Sequence, residues 1–169
     1  IYMIKEGILE NPKVEAVFGL HLWGPLEKGK VKVKKNEMMA SVASVDIKIK
    51  GKGCHAAMPN LGIDPIVMGA ETVMALQTIP SRLINPLDPV VVSMCTIKGG
   101  DDTYNVIPEY LTLRGTVRTL SDEVRNEVGV HMDKILSGIT AQYNASYELS
   151  YELGYPALIN DDKMTELAK

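Results

Sequence analysis

Residues 44–50 read Ser-Val-Asp-Ile-Lys-Ile-Lys. Val45, Ile47 and Ile49 fall on one side of an extended chain, and Asp46, Lys48 and Lys50 fall on the other. That period of two, apolar against charged, is the pattern of a β-strand with one buried and one wet face. Downstream, Asp64-Pro65 places a capping carboxylate ahead of a proline suited to a first helical turn. Ile66, Ala70, Val73, Met74 and Gln77 then recur at helical spacing, which predicts a helix packed by this stripe and ended by Pro80. Val90 to Ile97 predicts a second strand, and Gly99-Gly100-Asp101-Asp102 a turn-rich connector. Tyr110 to Arg118 predicts a third strand, with Leu111, Leu113, Gly115 and Val117 on one face. Ser121-Asp122-Glu123 opens a second helix, with a capping hydroxyl and acids at the positive end of the helix dipole. Its apolar stripe is Val124, Val128, Met132, Ile135 and Ile139. Tyr147, Leu149, Tyr151 and Leu153 alternate with polar residues as a last strand. From Ser41 to Leu153 the order is β-α-β-β-α-β, which predicts an α+β, ferredoxin-like unit: one antiparallel sheet with two helices on one face.

The flanks read differently. A helix end over Tyr2 to Leu9 and a turn at Asn11-Pro12 lead into Val14, Ala16, Val17, Phe18, Gly19 and Leu20. Such a nearly all-apolar run predicts a strand covered on both faces, as in a parallel sheet. Residues 1–40 and 154–169 are therefore expected to be partial segments of a larger α/β domain, with residues 41–153 inserted between them. The chain opens on Ile1 inside what reads as a helix and stops inside a helical pattern, Asp161 to Lys169. The expectation is a piece of something longer.

A net charge of −3 and scattered Lys and Arg residues give no electrostatic case for nucleic acid or an anionic membrane. The basic residues of Lys28 to Lys35 alternate with Gly and Val, as on one solvated strand face. Cys54 and Cys95 do not make a disulfide framework or a CxxC pair, and they read as reduced thiols of a cytoplasmic protein. No apolar run approaches the roughly 20 residues that span a bilayer. The opening Ile1–Glu6 lacks the basic, apolar, small order of a signal peptide.

The three histidines differ in setting. His131 lies beside a helix stripe and reads as a packed helix histidine. His21 follows the apolar run, where ligands gather at the carboxyl ends of strands; metal ligand and plain core histidine stand level there. His55 sits in a Gly-flanked loop and can polarise a carbonyl or serve an oxyanion, although a plain loop histidine is the commoner case. Asn105 reads as a turn residue that can also donate to a substrate oxygen. Arg118 reads as a surface arginine that can also clamp a carboxylate. GxSxG, Walker and HExxH motifs are absent from the sequence.

The run GKGCHAAMPNLGIDPI from Gly51, then MALQTIPSR, NPLDPVVVS and GGDDTYNVIPEYLTLRGTVRT, resembles the M20 metallopeptidase superfamily. The similarity is greatest to its amidohydrolase branch of hippurate hydrolases, N-acyl-amino-acid deacylases and indoleacetyl-amino-acid hydrolases. It includes the opening MIKEG and the phrase FGLHLW, and several separated motifs keep their order. The resemblance implies a catalytic domain with two divalent metals (Zn, Mn, Co or Ni) and an inserted lid that makes a homodimer. It implies metal-dependent hydrolysis of the amide bond of N-acyl amino acids, by attack of a metal-activated water with a glutamate carrying the proton. By residue match, His21 resembles a metal ligand, and His55 resembles the lid histidine that reaches the partner subunit's active site. Asn105 and Arg118 resemble substrate-binding lid residues, Arg118 taking the carboxylate. The family's other metal-binding segments and its Glu-Glu pair fall outside these residues, so the chain alone is expected to be inactive and to hold no metal stably. Cys54 stands where Gly is common in the family and Asn60 where His is common. The competing readings are a non-catalytic dimerisation or small-ligand-binding module, and a dipeptidase or carboxypeptidase of the same superfamily.

Overall fold

The computed structural model describes residues 2–169. The elements in chain order are α1 (Tyr2–Lys5), β1 (Asn36–Met39), β2 (Ala43–Lys50), β3 (Cys54–His55), α2 (Pro65–Leu76), β4 (Val90–Gly99), β5 (Val106–Ile107), β6 (Tyr110–Thr119), α3 (Asp122–Gln142), β7 (Ser146–Leu153), β8 (Leu158–Asn160) and α4 (Asp162–Leu167). Glu37–Ile159 make one compact unit. The described residues up to Asn36, with Asn160–Lys169, make a second.

The larger unit is built on a four-stranded sheet of order β4-β6-β2-β7. Every neighbouring pair in it is antiparallel. Register sets Val45 opposite Gly115 and Tyr151, and Ile47 opposite Leu113 and Leu149, so the alternating apolar residues share one face. Both helices lie on that face. Gly69 of α2 rests on Leu111, and Gly129 of α3 rests on the Tyr151 ring. The buried core joins Val45, Ile47, Ile49, Leu111, Leu113 and Val117 to Met68 and Leu76 of α2 and to Val128, Met132 and Leu136 of α3. Leu113→Ala removes a fully buried side chain from its centre. It is expected to lower unfolding free energy by about 2–5 kcal/mol in a denaturant titration.

The stripe predicted for α3 is the one that packs, with Leu136 added to it. Ser121 caps the helix by accepting from the Val124 amide at 3.3 Å. Burial pushes the Tyr151 hydroxyl up to about 12, so it stays protonated and donates to the Arg125 carbonyl at 2.7 Å.

The stripe predicted for α2 is not its core face. Met68, Gly69, Thr72 and Leu76 are buried instead. This helix is apolar nearly all round, so periodicity cannot choose the side, and the close approach of Gly69 to Leu111 does. At about 100° per residue, Ile66, Ala70 and Val73 fall to one flank of that buried line. This flank faces β4, because Ile66 lies against Gly99. Glu71 falls on the other flank and accepts from Tyr143 beyond the end of α3. Pro80 also does more than end the helix, since it sits inside a π-helical turn over Ile79–Leu83.

The smaller unit departs further from the sequence reading. The helix ends at Lys5, short of Leu9. Residues 14–22 form no strand, and Phe18 and Leu20 are 62% and 86% exposed. A strand buried on both faces needs backbone partners on either side, and no described residue supplies them. Asp161 caps α4 by accepting from the amides of Lys163 and Met164. Among the described residues no helix is long and apolar enough to cross a membrane.

Candidate functional site

The residues around His55 are held by a small ribbon. β3 pairs antiparallel with β5, setting Cys54 opposite Ile107 and His55 opposite Val106. Lys52 and Ile63 exchange backbone hydrogen bonds of 2.8 and 2.9 Å and close the base of the intervening loop. Gly62 permits this closure. A Cβ there would collide with the Cys54 sulfur and come within 2.7 Å of the Lys52 carbonyl. Gly62→Ala is therefore expected to cost about 1–3 kcal/mol by overpacking, read as a lowered melting temperature.

The histidine itself is exposed, and its loop orients the ring. The Ala57 amide donates to His55 Nδ1 at 3.1 Å. An amide N–H is only a donor, so Nδ1 carries the lone pair and the neutral ring keeps its proton on Nε2. Nε2–H is thereby left as the ring's hydrogen-bond donor. Asn105 lies beside it, because the Ala56 amide donates to the Asn105 carbonyl at 2.9 Å. Two residues 50 positions apart are thus adjacent. No local pattern in the sequence shows this, since each paired strand is only two residues long.

Arg118 is elsewhere. It lies near the end of β6, half-buried, donating to the Thr116 hydroxyl and to the Val117 carbonyl at 3.2 Å. The Glu109 carbonyl, just ahead of β6, accepts from Gly51 at the base of the His55 segment. From Tyr110 to Arg118 the strand runs roughly 27 Å at about 3.4 Å per residue. The His55–Asn105 pair and Arg118 therefore occupy opposite ends of β6, too far apart to grip one small molecule within a single chain.

His21, in the smaller unit, is exposed and sits edge-on to Trp23 at 5.8 Å between ring centroids. Its Nδ1 lies 2.6 Å from the Leu22 carbonyl. A carbonyl only accepts, so Nδ1 is the protonated nitrogen and Nε2 holds the lone pair. That is the opposite arrangement to His55, and it is the tautomer of a histidine that binds metal through Nε2. Among the described residues, no three His, Cys, Asp or Glu side chains gather as a metal-binding set. His131 is half-buried on α3, 3.3 Å from Glu127.

Residues 40–144 match the M20 peptidase dimerisation domain. The chain belongs to the M20 peptidase family. This M20 chain is 41% identical over 161 residues to the N-acyl-L-amino acid amidohydrolase of Geobacillus stearothermophilus, covering 95% of the chain and 43% of that protein. It is 38% identical over 167 residues to the N-acetyl-L-cysteine deacetylase of Bacillus subtilis (strain 168), covering 99% of the chain and 39% of that protein. Among solved structures, it resembles the Bacillus subtilis YXEP protein, described as a dinuclear metal binding peptidase from the M20 family. The TM-score there is 0.72 at 32% identity, over 98% of the chain and 40% of that protein. The M20 chain thus spans about two fifths of the length of the curated relatives it matches.

Proposed function

We propose that the chain is part of a metal-dependent amidohydrolase that cleaves the amide bond of N-acyl amino acids. In this reading residues 41–153 are a ferredoxin-like lid through which two copies form a homodimer. Residues 1–40 and 154–169 belong to the catalytic domain, and the protein works in the cytoplasm. The observation that carries the proposal is the split between His55–Asn105 and Arg118 at opposite ends of β6, beside an unguarded sheet edge.

β4 and β7 are the two edges of the main sheet. β7 carries Glu148 and Glu152, and charged side chains discourage edge pairing. β4 carries no charge over its first eight residues, although its register shifts between Met94 and Thr96. Next to it lies the apolar flank of α2, and Ile97 is 57% exposed. An edge uncharged over eight of its ten residues, beside exposed apolar groups, is a template for a second copy.

Antiparallel pairing of two β4 edges about a two-fold axis reverses one copy against the other. The Gly99 end of β4, opposite Leu111, then lies beside the partner's Val90 end, opposite Thr119. The His55–Asn105 end of one lid thus adjoins the Arg118 end of its partner. Arg118 would fork onto the substrate carboxylate. His55 Nε2–H, from the other copy, would donate to the amide oxygen as that oxygen gains negative charge. The Asn105 side chain would supply a further polar contact to the same end of the substrate. His21 would contribute one metal ligand through Nε2, and the metals would supply a polarised water and carbonyl. The described residues do not by themselves make a complete metal set.

The test is release of free amino acid by the full-length enzyme, compared between N-acyl amino acids and dipeptides. Faster release from the acyl substrates is expected. Cleavage of dipeptides alone would replace this reading by a dipeptidase or carboxypeptidase, and no hydrolysis by a dimeric protein would leave a binding module.

A further inference from the structure

The face of the main sheet opposite the helices has an uneven charge. On β2 it shows Ser44, Asp46, Lys48 and Lys50, and on β6 Tyr110, Thr112, Arg114, Thr116 and Arg118, because the alternate residues face the core. Lys98 of β4 joins them, opposite Thr112. Across the four strands the basic side chains on this face are Lys48, Lys50, Lys98, Arg114 and Arg118, against the acids Asp46, Glu148 and Glu152. Asp46 is already engaged by Arg114 at 2.6 Å. The whole chain carries −3, so this excess of positive charge runs against its overall balance. Among the described residues, no carboxylate forms an ion pair with Lys48, Lys50 or Lys98. Glu148 is across from Lys48 in register without pairing to it. Lys48 and Lys50 instead stand over the Tyr110 ring, 4.3 and 5.8 Å from its centroid.

These lysines crowd the end of the sheet nearest His55, and Arg118 shares their face at the other end. Edge-to-edge pairing about a two-fold axis normal to the sheet keeps the open faces of both copies on one side. It brings the lysine end of one copy beside Arg118 of the second copy. Every N-acyl amino acid carries an α-carboxylate, and acylation removes the ammonium charge that would balance it. We propose that the open sheet face around Lys48, Lys50 and Lys98 is an approach surface for that carboxylate, drawing the anionic substrate across one lid toward Arg118 of the other.

The lysines act on arrival and make no contact in the reacting complex. Their influence therefore falls on KM and depends on salt, since the screening length shortens from about 30 Å at 0.01 M to about 8 Å at 0.15 M. The inference rests on the amidohydrolase reading above. Its test is the steady-state kinetics of the full-length enzyme on an N-acyl amino acid at those two ionic strengths. Three proteins are compared: the unchanged enzyme, Lys48→Gln/Lys50→Gln/Lys98→Gln, and Lys48→Arg/Lys50→Arg/Lys98→Arg. The unchanged enzyme is expected to lose about threefold to tenfold in kcat/KM with added salt, carried by KM. The glutamine variant should show the high-salt KM at both strengths, and the arginine variant should follow the unchanged enzyme. A glutamine variant with the full salt response overturns the proposal, as does an arginine variant that behaves like the glutamine one. Failure of the underlying reading looks different, because the unchanged enzyme would then release no amino acid at either strength.

Discussion

In the full-length enzyme, His55→Ala is expected to lower kcat by about 10²–10³-fold, with a much smaller change in KM. Nε2–H is the only donor that the neutral His55 ring offers, because the Ala57 amide occupies Nδ1. A donor aimed at a carbonyl oxygen does most where that oxygen becomes anionic, so its removal raises the barrier more than it weakens substrate binding. The side chain is exposed and outside the buried core, so the variant should melt at the same temperature as the parent. Steady-state kinetics beside a thermal melt makes the check. A kcat within a fewfold of the parent would remove His55 from the reaction.

Ala70→Glu is expected to shift the dimer toward monomers by about two orders of magnitude in dissociation constant, since like charges facing each other across an interface cost several kcal/mol. Ala70 lies exposed on the flank of α2 that faces β4 and outside the core. A two-fold axis beside β4 duplicates each new carboxylate, so two like charges enter one apolar interface. The lone chain loses no buried contact, so its circular dichroism should match the parent's and its melting temperature should fall only by the lost association. Sedimentation at several protein concentrations reads the shift. A dimer as tight as the parent's would move the interface away from the β4 edge.

Much of the fold is legible in the sequence where one face of an element is dry and the other wet. Val45, Ile47 and Ile49 against Asp46, Lys48 and Lys50 is such a case, and so is the stripe of α3. Legibility fails in three places, each for a physical reason. In α2 both Met68–Leu76 and Ile66–Val73 read as apolar stripes, and only the fit of Gly69 on Leu111 decides which one enters the core. Over residues 14–20 composition reports a preference for burial, but pairing needs neighbouring strands that the sequence of the segment cannot show. At the candidate site, resemblance selects His21, His55, Asn105 and Arg118 one at a time. Their grouping follows from register. The ribbon brings His55 to Asn105, and the length of β6 keeps Arg118 away from both.

That separation makes a composite site testable by mixing. Full-length His55→Ala and Arg118→Ala proteins should each be nearly inactive as homodimers. When equal amounts are dissociated and reassembled, half the dimers are mixed, and each mixed dimer holds one intact site of two. Recovered activity should therefore approach roughly a quarter of the parent enzyme's for a symmetric two-site dimer. Activity no higher than the sum of the two inactive parents, in a sample shown to contain mixed dimers, would contradict a site shared between copies.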